Sequence, residues 1–79
     1  MAAERGSAEA QFNTGVYLMY TGDRDVNRPK ALKWLILSAL QKNENAIETI
    51  EFSKSSLTLT QKDKARELTR QWLIEQAQH

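Results

Sequence analysis

The feature that most limits how this chain can fold is a segment, residues 31–40, that is apolar on nearly every side of a helical wheel. Its apolar residues are Ala31, Leu32, Trp34, Leu35, Ile36, Leu37, Ala39 and Leu40. A surface helix needs only one apolar face, whereas a helix that is apolar all round must be covered on most sides. We therefore predict that this segment is the central helix of the fold.

The rest of the chain also has helical spacing, because its apolar residues recur every three or four positions and none of it alternates like a strand. Breaks at turn-forming residues divide the chain into four predicted helices, at about residues 7–21, 28–42, 45–56 and 59–77. Residues 22–27 are predicted to be a loop. The prediction is an all-α domain over residues 7–79, preceded by a flexible N-terminus at residues 1–6.

Capping residues mark the starts of these helices. Ser7 is a good N-cap for the first, and Pro29 suits the first turn of the second. Asn45 is the predicted cap of the third. Thr58, with Gln61 three residues later, forms a capping box before the fourth.

An internal repeat relates the two halves of the chain. A shift of 38 residues places the triplet Trp34-Leu35-Ile36 on Trp72-Leu73-Ile74. This period lies in the range of about 34–47 residues that is typical of helix-pair solenoids, in which each hairpin buries its apolar face against the next. The sequence thus predicts two antiparallel helix hairpins in a right-handed, solenoid-like stack.

The pattern of small, aromatic and turn residues resembles a Sel-one-like repeat, a tetratricopeptide-like helical hairpin. The matching runs are Ala8-Glu9-Ala10-Gln11-Phe12-Asn13-Thr14-Gly15, Tyr20-Thr21-Gly22, Pro29-Lys30-Ala31-Leu32-Lys33-Trp34-Leu35 and Ser38-Ala39. The remainder resembles the C-terminal end of such an array, through residues 46–52 and through Leu57, Thr58, Gln61, Ala65, Leu68 and Trp72.

The chain also departs from the family pattern. Thr14 stands where a leucine is usual, and Leu18 stands where a tyrosine is usual. The second hairpin lacks the glycine and tyrosine of a full repeat, so we interpret it as a terminal cap. The resemblance implies a scaffold or adaptor that binds a protein partner and catalyses no reaction.

The sequence predicts two sets of residues, a core and a partner-binding set. The predicted core, where helices meet, comprises Phe12, Gly15, Ala31, Trp34, Leu35, Ala39, Ile50, Ala65, Leu68 and Trp72. Phe52 is predicted to point away from the apolar stripe of its own helix. The predicted partner-binding residues, assigned to a helix-lined surface, are Gln11, Asn13, Tyr17 and Tyr20.

Little in the sequence indicates catalysis, a cofactor or a metal. There is no cysteine, and the single histidine is His79, the last residue. The segment 23–27 begins like a calcium loop, but Arg28 stands where the loop needs glycine and Trp34 stands where it needs glutamate. We expect no catalytic residues, no metal, no cofactor and no small-molecule substrate.

Two alternative functions remain open. A basic face around Lys62, Lys64, Arg66 and Arg70 would suit nucleic acid, although the net charge of +1 and the interleaved Asp63 and Glu67 favour a solvated helix face. A self-associating structural unit is the other alternative. No apolar run is long enough to span a bilayer. We expect a cytoplasmic protein that is a monomer or a weak homodimer, without a membrane or nucleic-acid partner.

Overall fold

The computed structural model describes residues 6–78, which form four α-helices and no strand. Three of these helices pack on the remaining one, the second in the chain. The helices are α1 (Ala8–Met19), α2 (Arg24–Leu40), α3 (Glu44–Ser53) and α4 (Leu59–Ala77), and a 3₁₀ turn (Lys54–Ser56) follows α3. The all-α prediction is confirmed. The expectations for residues 1–5 and for His79 lie outside the described residues.

Helix α2 is central, as its sequence predicts. It packs against α1, α3 and α4 in turn, and Ala31 and Leu35 on it have no solvent exposure. Each of these neighbours removes a different side of α2 from water. A fully buried leucine of this kind is worth roughly 1.5–3 kcal/mol, so these contacts dominate the stability of so short a chain.

Two of the predicted N-caps are confirmed. The Ser7 side chain accepts a hydrogen bond from the backbone N–H of Ala10 at 3.4 Å. At the start of α4, the Thr58 hydroxyl accepts from the N–H of Gln61, and the Gln61 side chain accepts from the N–H of Thr58, both at 3.0 Å. This reciprocal pair satisfies two N–H groups that the helix itself cannot.

The predicted loop at residues 22–27 is confirmed only at residues 22 and 23, because α2 begins at Arg24. Asp23 is the N-cap, and its carboxylate accepts from the N–H of Asp25 at 2.9 Å. Pro29 consequently lies beyond the first turn of the helix. The carbonyl that loses its helical partner there belongs to Asp25, which is exposed and can be hydrated.

The start of α3 also differs from the prediction. Asn43 is the cap instead of Asn45, and its side chain accepts from the N–H of Ala46 at 3.0 Å. The helix therefore begins at Glu44, after the three residues 41–43 that separate it from α2. Sequence alone does not separate the two asparagines, because both are good N-cap residues.

A Schellman motif ends α2. The N–H of Asn43 donates to the carbonyl of Ser38 at 3.2 Å, and the N–H of Lys42 donates to that of Ala39 at 2.9 Å. Lys42 has φ of 67°, in the left-handed region that favours glycine. The short turn places α3 directly against α2.

Close approach of α1 and α2 depends on a glycine. A Cβ atom added to Gly15 would lie 2.8 Å from the Cγ of Leu35 and 3.1 Å from the carbonyl oxygen of Ala31. At the first residue of α1, the carbonyl of Ala8 accepts a hydrogen bond from the Ser38 hydroxyl at 2.6 Å. These contacts hold α1 antiparallel to α2 as the first predicted hairpin.

The predicted core residues are all buried or half-buried. Those that are buried are Gly15, Ala31, Trp34, Leu35 and Ala65. Those that are half-buried are Phe12, Ala39, Ile50, Leu68 and Trp72. The indole rings of Trp34 and Trp72 pack edge to face with centroids 6.0 Å apart, which links α2 to α4.

The second predicted hairpin is not confirmed. Helices α3 and α4 each pack on α2 and make little contact with each other. At their connection, the Arg28 guanidinium donates to the carbonyl of Ser56 at 3.0 Å and ties the 3₁₀ turn to α2. The C-terminal half is therefore held together mainly through the central helix.

Gly15→Ala is expected to destabilise the protein by about 1–3 kcal/mol, because the added methyl group overlaps Leu35 and overpacks the interface. The loss would outweigh the gain of about 1 kcal/mol in helix propensity. Urea unfolding measures the change. Asn13→Ala, at an exposed position of the same helix, is the control and should be neutral or stabilising; a stabilised G15A variant would contradict the close approach.

Lys42→Gly is expected to stabilise the protein by about 0.5–1 kcal/mol, because glycine adopts a positive φ without the strain caused by Cβ. In a domain of this size that gain corresponds to a rise in Tm of roughly 4–8 °C per kcal/mol. Thermal unfolding followed by circular dichroism measures it. Lys30→Gly, at an exposed helical position of α2, should instead lower Tm.

Candidate protein-binding surface

Three large aromatic side chains are exposed on α1 and α3. Tyr17 is 67% exposed, Tyr20 is 68% exposed and Phe52 is 84% exposed. We call these three residues the aromatic surface. Tyr20 and Phe52, together with Glu48 and Thr49, line a single shallow depression of about 230 Å³. Residues distant in sequence thus form one continuous feature between the end of α1 and α3.

The buried side of α1 determines where its tyrosines point. Gln11, Gly15 and Met19, each four residues from the next, form a buried line along the helix. Tyr17 lies two residues from both Gly15 and Met19, which places it roughly 200° around the helix from them. Its exposure follows directly from the packing of α1 on α2.

The end of α1 is fixed by hydrogen bonds, which hold Tyr20 in place. The Thr21 hydroxyl donates to the carbonyl of Tyr17 at 2.6 Å, and the Asn27 side chain donates to the carbonyl of Thr21 at 2.8 Å. Gly22 then turns the chain with φ of 68°. These hydrogen bonds and the turn at Gly22 fix the path of the backbone next to Tyr20.

Phe52 is the residue of this surface that the sequence analysis did not include. Its helix buries Ala46 and Ser53, and Phe52 points away from both, as predicted. The signal in the sequence was a phenylalanine off the apolar stripe of its helix. Its proximity to Tyr20 depends on how α1 and α3 lie on α2, which local patterns do not encode.

Gln11 does not belong to the exposed surface, so its assignment to partner binding is corrected. It is 1% exposed, and its side-chain oxygen accepts from the Gln41 side chain at 2.8 Å. The same Gln41 nitrogen donates to the carbonyl of Gly6 at 2.6 Å. Gln11 lies four residues before Gly15 in the sequence, and this spacing indicates that both lie on the same buried side of α1. Asn13 is exposed, as the prediction requires.

The tryptophan pair forms part of the packing. Trp34 is only 8% exposed and packs edge to face with Trp72, with Leu37, Ala10 and Leu18 in the same cluster. The Lys33 ammonium lies 4.0 Å from the centroid of the Trp34 ring, a cation–π distance. A base or a second cation would have to displace these groups to stack on Trp34.

The basic stretch of α4 is interrupted by acids. Arg66 and Arg70 line one depression with Asp63 and Glu67, and Asp63 lies 3.8 Å from Arg66. A phosphate approaching this face would meet two carboxylates as well as two guanidinium groups. The charge is therefore mixed, unlike the basic stripe that nucleic-acid binding uses.

Acidic side chains elsewhere act as caps or lie apart from one another. Asp23 caps α2, and residues 6–78 contain no group of three or more His, Cys, Asp or Glu side chains placed to hold a metal ion. Among the same residues, no helix has the length and apolar character needed to cross a membrane.

Comparisons with protein-family models, with curated proteins and with solved structures gave no match to this chain.

Gln11→Ala is expected to destabilise the protein by roughly 1–3 kcal/mol, because it removes the hydrogen bond to Gln41 and leaves a cavity in place of a side chain that is 1% exposed. The measurement is urea unfolding of this variant beside Asn13→Ala, which changes an exposed polar residue of the same helix. Equal, small effects at both positions would contradict the buried role of Gln11.

Proposed function

We propose that this chain is a protein-interaction module of the Sel-one-like repeat type, in which α1 and α2 form one repeat and α3 and α4 form a terminal cap in a solenoid-like stack. The module binds an unidentified protein partner through the aromatic surface and the neighbouring Asn13. It acts as a scaffold or adaptor in the cytoplasm and performs no reaction.

The observation that carries the proposal is the exposure of Tyr17, Tyr20 and Phe52. An aromatic side chain offers about 150–250 Å² for burial, and tyrosine is enriched among the residues that dominate interface energetics. Tyrosine also has only two side-chain torsions to immobilise, so its ordering costs little. A partner that covered all three rings would remove a large apolar area from water.

The local geometry supports recognition of a protein segment. The depression between Tyr20 and Phe52 is shallow, and Glu48 and Thr49 provide acceptors beside the rings, since the Thr49 hydroxyl already donates to the carbonyl of Asn45 at 2.7 Å. Protein interfaces commonly combine such an aromatic centre with a polar rim. This combination favours the proposal over a nucleic-acid interface, since the basic stretch of α4 carries mixed charge.

The test compares wild type with a Tyr17→Ala, Phe52→Ala double variant as baits in quantitative affinity capture from the cell in which the chain is expressed. Proteins held through the aromatic surface should fall at least about tenfold with the double variant, equivalent to 1.4 kcal/mol. Tm should stay within a few degrees of wild type, because both side chains are exposed.

A matched control is Leu59→Ala, which removes an exposed apolar side chain from α4, away from the aromatic surface. It should capture the same proteins as wild type. Light scattering over a range of concentrations separates the self-associating alternative. A homodimer that the double variant abolishes, or captured proteins that do not distinguish the variants, would overturn the proposal of a separate partner.

A further inference from the structure

A second surface feature lies between α3 and α4, apart from the aromatic surface. It is a trough of about 290 Å³, and its lining residues are Leu32, Ile36, Ile50, Lys54, Leu57, Lys62 and Arg66. The two residues from α2, Leu32 and Ile36, connect the walls that α3 and α4 contribute. We call this feature the cationic trough.

The trough exists because α3 and α4 both pack on α2 while making little contact with each other. Ile36 and Ile50 pack on the hydrophobic core and remain half-buried, and Leu57 is buried beside them. Apolar side chains on neighbouring helices would normally meet across such a gap. Here they leave an apolar floor accessible from outside.

The cationic trough and the aromatic surface lie on opposite sides of α3. Glu48 and Phe52 are four residues apart and face the end of α1. Ile50 and Lys54, also four residues apart, face the trough. The two pairs are offset by two residues, or roughly 200° around a helix. A ligand in one feature therefore does not occupy the other.

Three cations, Lys54, Lys62 and Arg66, stand on the rim of the trough, and no carboxylate is among its lining residues. Lys54 pairs with Glu51 at 2.9 Å and Arg66 lies 3.8 Å from Asp63, both as exposed pairs within one turn. Lys62 is half-buried and has no carboxylate within ion-pair distance among residues 6–78. Exposed pairs of this kind contribute little to stability, so both cations can turn toward a new anion.

We propose that the cationic trough binds an acidic amphipathic helix of a partner protein. Its apolar side chains would lie on Leu32, Ile36 and Ile50, and acidic residues on its flanks would meet the rim cations. Helices bind grooves in this way through anchors at i, i+3, i+4 and i+7. The proposal concerns a site that the proposed function does not use.

Charge complementarity selects this partner. Lys62 and Arg66 are four residues apart on one wall, about 6 Å along the helix axis, and Lys54 stands on the other wall. A single carboxylate, as on a fatty acid, engages one or two of these cations. A helix with glutamates on both flanks can engage the cations of both walls while its apolar face covers the floor.

The experiment titrates the ¹⁵N-labelled full chain with a synthetic helical peptide of about 18 residues, with leucines at i, i+3, i+4 and i+7 and glutamates on both flanks. We expect saturable chemical-shift changes at Ile36, Ile50 and Lys62. A Kd on the order of 100 µM is the expected strength for this generic probe, which lacks side chains matched to the floor.

Two charge-reversal variants are matched. Lys62→Glu removes a rim cation, and Lys64→Glu makes the same charge change on the same helix at a residue that lines a different depression. The first should weaken peptide binding at least about fivefold, and the second should change it less than about twofold. Thermal unfolding of both variants confirms that each is folded.

Four results would overturn the proposal. These are the absence of saturable shifts, shifts centred on the aromatic surface, equal weakening by the two charge reversals, and binding of decanoate to the trough as tight as that of the peptide. The Tyr17→Ala, Phe52→Ala double variant should bind the peptide like wild type. Peptide binding by this variant therefore distinguishes a failure of this proposal from a failure of the proposed function.

Discussion

The burial of α2 is the constraint on which the other elements depend. Each of the other three helices within residues 6–78 packs on it, and no other pair of these helices shares an interface of comparable extent. One close approach is at Gly15, where the absence of a side chain lets α1 approach Leu35 and the backbone at Ala31. Since a chain of this size has a small core, loss of that contact would remove a large part of its free energy of unfolding.

Features that depend on nearby residues could be predicted from the sequence. The central helix, the core role of Gly15 and Trp34, and the capping box at Thr58 each follow from spacing or from residue type over a few positions. The errors at the starts of α2 and α3 have a related origin. Near each of these helix starts, the sequence offers more than one residue that could be the N-cap. Which of them caps the helix depends on which backbone N–H groups lack a partner in the folded chain.

Features that depend on tertiary packing could not be predicted in the same way. Gln11 has a polar side chain, yet it is buried because Gln41, thirty residues later, supplies its hydrogen bond. Phe52 joins Tyr20 only because α1 and α3 lie on adjoining sides of α2. The separation of α3 from α4 could not be predicted either. The spacing of apolar residues identifies the apolar stripe of a helix but does not specify which helix covers it.

Because α3 packs on α2 and makes little contact with the other helices, two of its sides remain partly uncovered. One helix of ten residues, Glu44–Ser53, buries Ala46 and Ser53 against the rest of the molecule. On one flank Phe52 stands beside Tyr20, and on the other Ile50 stands between two cationic walls. A domain that closed both gaps would gain stability from added apolar burial. Because closure would also remove both of these concave features, stability and the proposed partner binding compete for the same side chains on this helix.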